Sequence, residues 1–187
     1  MSNSFRGGAG RLRLSNGATD VLLSVLQFAL SDLADSRWER ALAQWVAWHD
    51  QNLVGRGCVG FDLAEISWDE REFPAQKAFL LRVIDTARAR YRWDELCYDA
   101  PDADRHLREY RDIVERFDLP ARHGPSRRWG WPGAADGETL CPTHRVHCSD
   151  LGWCRVCDDC GTVHGGDEAP RGAPGSDDGP TRARLRP

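Results

Sequence analysis

Residues 19–50 read TDVLLSVLQFALSDLADSRWERALAQWVAWHD, and this stretch decides the fold class. Leu22, Val25, Leu26, Ala29 and Leu33 recur at steps of three and four, which places them on one face of an α-helix. Ser36 with Glu39 three positions later forms a capping-box pattern, in which each side chain satisfies a backbone amide at the start of a new helix. Trp38, Leu42, Trp45 and His49 then mark the apolar face of that second helix, which should end near Asn52. Neither face can shield itself, so both helices need partners.

Downstream, VGRGCVGFDLAEIS (residues 54–67) breaks the helical pattern with glycines, and its VGFDL portion suits a short strand or an extended connection. A third helix should begin at Pro74, because proline is tolerated in a first turn and not inside a helix. Leu80, Ile84, Ala87 and Tyr91 mark its buried face. A fourth should run from about Asp102 through Leu107, Tyr110, Val114 and Phe117 to the Leu119-Pro120 stop. The expected fold is therefore mainly α, a compact four-helix domain over residues 18–119. Glycine-rich residues 1–17 are expected to be a disordered arm, residues 120–137 a linker, and residues 165–187 a disordered tail.

The formal charge is −4. A chain built to neutralise phosphates usually carries a basic excess, so nucleic acid is not the favoured partner. Residues 18–120 hold 20 acidic and 13 basic residues, a difference of −7, which suits a protein partner with a basic face. The longest apolar run, VLLSVLQFAL, is half the roughly 20 residues needed to cross a bilayer, and the N-terminus lacks the apolar core of a secretory signal. The expectation is a cytoplasmic protein without a membrane partner. In that compartment a cluster of cysteines reads as a metal site before disulfides, and no disulfide framework is expected.

The cluster is CPTHRVHCSDLGWCRVCDDCG, residues 141–161. Two ligands separated by two residues can reach one ion from a tight turn, and a structural zinc takes four Cys or His ligands. Cys141 with His144 forms one such pair and Cys157 with Cys160 another. Gly161 after the last ligand allows the turn a positive φ. These residues resemble the zinc-ribbon family over residues 138–164. The resemblance implies a small β module with zinc on Cys141, His144, Cys157 and Cys160, and with RVHCS (145–149) and WCRVC (153–157) as strands around the turn DLG. His144 stands where the commoner ribbon has cysteine. His147, Cys148, Cys154 and His164 are surplus donors. They could form a second site, or Cys154 could pair with Cys157 in another register. With at least four protein ligands competing for the ion, no position is left for a catalytic water, and a structural metal is expected.

GRGCVG, residues 55–60, fits a dinucleotide-binding glycine pattern, but the alternating strand-helix context that gives the pattern meaning is missing. His49, Asp50, Glu65 and Asp69 are the residues around which an unrecognised enzyme site could form, without any complete motif. Three tryptophans on one helix cannot all share a narrow buried stripe, which makes Trp48 a candidate partner contact. Arg127, Arg128, Trp129 and Trp131 combine charge with stacking surface and could contact a protein or single-stranded nucleic acid. Residues 121–164 balance five arginines against five acids, so no positive field supports the second reading. The function expected is non-enzymatic: a zinc-binding adaptor, regulator or immunity-type inhibitor acting through protein contacts, with a nucleic-acid-binding regulator as the alternative.

Overall fold

The computed structural model describes residues 2–125, 130–132, 140–149 and 152–159. Its frame is four helices longer than two turns: α1 (Asn16–Leu33), α2 (Arg37–Trp48), α4 (Phe73–Arg88) and α5 (Ala103–Arg116). Short helices α3 (Gln51–Val54) and α6 (Arg155–Asp159) follow α2 and close the described chain. Helix α1 is the centre of the layer arrangement, packing on α2, α4 and α5. Its apolar stripe is so broad that Leu22 through Leu30 are all buried. The capping box at α2 forms as the sequence dictates. Glu39 Oε2 accepts from the amides of Ser36 at 2.8 Å and Asp35 at 2.9 Å, and the Ser36 side chain accepts from Glu39 N at 3.2 Å.

The N-terminal segment corrects an expectation. Residues 1–17 were expected to be a disordered arm, yet β1 (Ser2–Gly7) and β2 (Gly10–Ser15) pair as an antiparallel hairpin with Ser2 opposite Ser15. Phe5, Leu12 and Leu14 alternate with polar residues and bury against the helices, the period-two signature of a half-buried strand. Asn3 is 1 % exposed and fixes the hairpin: it donates to Thr19 Oγ1 at 3.0 Å and Gln51 Oε1 at 3.1 Å, and accepts from Val59 N at 3.0 Å. Gly60 lies so close to β1 that a Cβ there would stand 2.4 Å from the Ser4 backbone. The extended 59–62 segment therefore runs beside β1, with Arg6 N donating to Phe61 O at 2.9 Å.

Two helix ends also differ. Helix α2 stops at Trp48, and the separate turn α3 carries the chain on, capped by Asp50. Helix α4 stops at Arg88, so Tyr91 is not on its buried face and is 40 % exposed. Arg90 and Arg92 adopt left-handed backbone (φ 61° and 57°), which takes the chain off the helix axis.

Of the stretch expected to be a linker, Trp131 packs on the core, its ring 6.3 Å from that of Trp38 and 5.8 Å from that of Trp45. Trp45 Nε1 donates to Gly130 O at 3.1 Å. Among the described residues the expected strands over 145–149 and 153–157 form no ladder, only a backbone bond from Ser149 N to Trp153 O at 3.1 Å. Leu140 and His147 make one antiparallel bridge, and the second segment turns into α6. Residues three apart point to opposite faces of a strand but lie close on a tight or helical turn, and the first turn of α6 brings Cys157 to the same point as Cys154. The tail, 165–187, lies outside the described residues.

Candidate metal centre

Cys141, His144, Cys154 and Cys157 present one donor atom each within 4.8 Å of one another. These four residues could hold a metal ion. The first two come from a tight turn between the bridged residues Leu140 and His147. Arg145 N donates to Cys141 O at 2.8 Å and Cys141 N to Val146 O at 2.8 Å, which closes the loop, and Arg145 takes the left-handed conformation (φ 54°) that the reversal needs. Inside the loop His144 N donates to Cys141 Sγ at 3.2 Å. The other two come from the start of α6, one just before the helix and one in its first turn.

The spacing of the donors is informative. Bonds of about 2.3 Å to sulfur at tetrahedral angles put ligand sulfurs about 3.8 Å apart, with slightly shorter edges to an imidazole nitrogen. Cys141 Sγ and Cys157 Sγ are 3.6 Å apart, and His144 Nδ1 lies 3.7 Å from Cys141 Sγ, 3.1 Å from Cys157 Sγ and 3.9 Å from Cys154 Sγ. These four separations lie within about 0.5 Å of such edges and are not covalent sulfur contacts. All three cysteines are buried and free of disulfides.

Crowding sets the protonation. Hydrogen bonds from Cys148 first, and then from the Cys157 backbone and the neighbouring Cys141 and His144 side chains, draw the Cys154 thiol down to about 4 against the cost of burial. Burial, with hydrogen bonding to Cys141 and the charge on Cys154, pushes the Cys157 thiol up. Several buried thiols thus compete for one negative charge, a conflict that a divalent cation removes.

Three of the four expected ligands are brought together, and Cys154, one of the surplus donors, is the fourth. Cys160 and His164 lie outside the described residues. Cys148 is buried beside Cys154 and its Sγ lies 3.7 Å from Val146 O. His147 faces the other way: its amide donates to Ser31 Oγ at 2.9 Å, and its Nδ1 is 3.1 Å from the same oxygen. Outside the cluster, Cys97 is disulfide-bonded, against the expectation of none.

The centre is built onto the helical core. Phe28 of α1 sits among Cys141, Val146, Cys148, Cys154, Val156 and Cys157. Gln27 Nε2 donates to His147 O at 3.3 Å. Arg92 donates to His144 O while holding Asp32 at 2.7 Å and Glu95 at 2.6 Å. Arg155, between Cys154 and Cys157 in sequence, is 5 % exposed. Its guanidinium donates to His49 O at 2.7 Å and meets Asp50 at 3.5 Å and Asp20 at 3.7 Å. Sequence reasoning missed this anchor because a lone arginine between two cysteines carries no signal of burial.

The remaining candidates are dispersed. His49 and Asp50 are buried at the end of α2, with His49 Nδ1 2.7 Å from Trp45 O. Glu65 accepts from Asp62 N at 3.2 Å, and Asp69 from Arg71 N at 2.8 Å and Glu72 N at 3.2 Å, each a local cap. Trp48 is half-buried against the core. Arg127, Arg128 and Trp129 lie outside the described residues. Among the described residues no helix is long and apolar enough to cross a membrane. Comparison with protein-family models, curated proteins and solved structures finds no match.

Proposed function

We propose that the chain is a non-enzymatic protein whose C-terminal segment is clamped to an acidic helical core by one zinc ion, and that it works by contact with a basic protein partner as an adaptor or regulator. The observation that supports the zinc reading is the set of donor distances at Cys141, His144, Cys154 and Cys157. Three buried sulfurs and one half-buried imidazole nitrogen at close to tetrahedral spacing suit zinc better than a hard cation, which prefers oxygen. The group contains no carboxylate. A hydrolytic zinc keeps one position for water and normally has a general base beside it, so four protein donors favour a structural ion. Support for the partner class comes from the excess of seven acidic residues over 18–120, which steers association with a basic surface.

Two measurements on the purified full chain test this reading. Elemental analysis should find one zinc per chain, with loss of the thermal transition on chelation. Binding to duplex and single-stranded DNA should be undetectable at physiological salt, whereas a basic-partner complex should weaken as salt rises. A metal-free folded chain, or steeply salt-dependent nucleic-acid binding, would contradict it.

A further inference from the structure

The N-terminal hairpin has one covered edge and one open edge. In an antiparallel ladder, directly opposite residues either exchange both backbone bonds or exchange none, and the two kinds alternate along the strands. Arg6 lies opposite Arg11, and its amide donates outward to Phe61 O at 2.9 Å. The pair of Arg6 and Arg11 is therefore of the non-exchanging kind, and so is the pair of Ser4 and Arg13 two positions on. The amides and carbonyls of Arg11 and Arg13 consequently point away from β1. On the β1 side the 59–62 segment takes up the edge. Among the described residues no strand lies beyond β2, and no backbone hydrogen bond reaches Arg11 or Arg13 from that side.

The outer face of the same strands carries unmatched charge. Phe5, Leu12 and Leu14 turn into the core, which leaves Arg6, Arg11 and Arg13 together on the solvent side. Residues 1–17 contain these three arginines and no acidic residue, in a chain of net charge −4. Elsewhere the arginines are matched: Arg88, Arg92, Arg105, Arg108 and Arg111 each meet a carboxylate at 3.3 Å or closer. Arg6 meets Asp62 at 3.7 Å, and Arg11 and Arg13 make no ion pair or side-chain hydrogen bond among the described residues. Like charges directly opposite on a sheet are destabilising, and Arg6 faces Arg11 in the more closely spaced kind of pair. A carboxylate beside them removes that cost.

An open strand edge and unmatched charge are independent features, and together they restrict what pairs there. The main-chain groups of Arg11 and Arg13 suit an extended segment, as in β-strand addition. Residues of that segment opposite Arg11 and Arg13 fall at alternate positions and stand on the arginine face. A second copy laid antiparallel about Leu12 sets Arg11 against Arg13, so the edge rejects self-pairing, one way in which charges guard an edge strand. Asp or Glu at two alternate positions meets the arginines instead. The negative charge of the helical core does not oppose this, because exposed charges more than about 8 Å away are largely screened at physiological salt.

We propose that β2 is the docking edge for an extended acidic segment of a partner protein, which adds a strand beside Arg11 and Arg13 and places two carboxylates, one residue apart, on their guanidinium groups. This surface is separate from the metal centre and from the acidic helical face, so its failure leaves the reading of both intact. The test titrates the metal-replete full chain with the capped peptide acetyl-TVEVEVT-amide, read by calorimetry and by hydrogen exchange of the hairpin amides. The peptide should bind saturably, more weakly as salt rises, and slow exchange at Arg11 and Arg13. Replacing both glutamates by glutamine removes the charge, and methylating their backbone nitrogens removes the ladder donors. Each change should weaken binding at least tenfold. Arg11→Gln with Arg13→Gln should do the same, while Arg37→Gln, at an exposed position of α2, should not. Both hairpin arginines are exposed and unpaired, so the double variant should keep the parent's thermal transition, and the peptide series reads the same contacts on the unaltered chain. No saturable binding, equal binding of the glutamine peptide, or unslowed exchange at Arg11 and Arg13 would overturn the proposal. So would tighter binding of a thymidine trinucleotide, which carries the same charge, or a chain dimer that the double variant dissolves.

Discussion

Asn3 and Cys154 show how much rests on single side chains. Replacing Asn3 by Leu keeps the volume close but leaves Val59 N without its buried partner and Gln51 Oε1 with only the longer bond from Gly57 N at 3.3 Å, at about 1–3 kcal/mol for a group left unsatisfied. The expected outcome is a loss of about 2–4 kcal/mol in urea unfolding. Less than about 0.5 kcal/mol would mean that the hairpin is not pinned as described. For the metal centre the informative pair is Cys154→Ser against Cys148→Ser. The first removes a member of the four-donor group, and the second removes a buried neighbour of it. Cys154→Ser should lower zinc retention and the melting temperature far more than Cys148→Ser, read by elemental analysis and calorimetry on the same preparations. Equal effects would move the fourth ligand away from Cys154.

Among the elements, α6 and the turn at Arg92 join the two halves of the molecule. Arg155→Ala should cost about 3–5 kcal/mol, since Asp50 is left buried with its cation removed. Chemical denaturation measures it, and an Arg155→Ala chain as stable as the parent would show that α6 is not latched there. Arg92 has a pH signature. Its hydrogen bonds to Glu95 hold that carboxyl below 4.5, against the opposing effect of burial. A lowered carboxyl stabilises the fold at pH above the unfolded value, and the gain disappears as pH falls through the folded value. The stability difference between the parent and Glu95→Gln should therefore be present near about pH 6 and close below about pH 4. A difference independent of pH would rule out this pairing.

The four long helices were legible because their faces repeat at three and four and because Ser36 with Glu39 marks a boundary. The hairpin was not, since the glycines around Ala9 read as breakers while Phe5, Leu12 and Leu14 give only three apolar points of a period-two pattern. The ligand turn at Cys141 and His144 was visible from its spacing. The place of Cys154 in the group was not, because two overlapping CxxC pairs share Cys157 and spacing alone does not say which of them turns toward His144.

On the scale of the whole molecule, the metal segment, α1 and the N-terminal hairpin depend on one another. Phe28, Gln27 and Ser31 of α1 contact the metal segment, and Thr19 of the same helix receives Asn3. Chelation should thus destabilise the helical core as well as the ligand loops. The amide protons of α1 should exchange faster after metal removal, by hydrogen-exchange mass spectrometry, and unchanged protection in α1 would separate the two parts. The most direct test of the account is zinc-edge X-ray absorption on the purified full chain. The predicted first shell is three sulfurs at about 2.3 Å and one nitrogen at about 2.0–2.1 Å, with no oxygen. A shell of four sulfurs, a bound water oxygen, or the absence of zinc would contradict it.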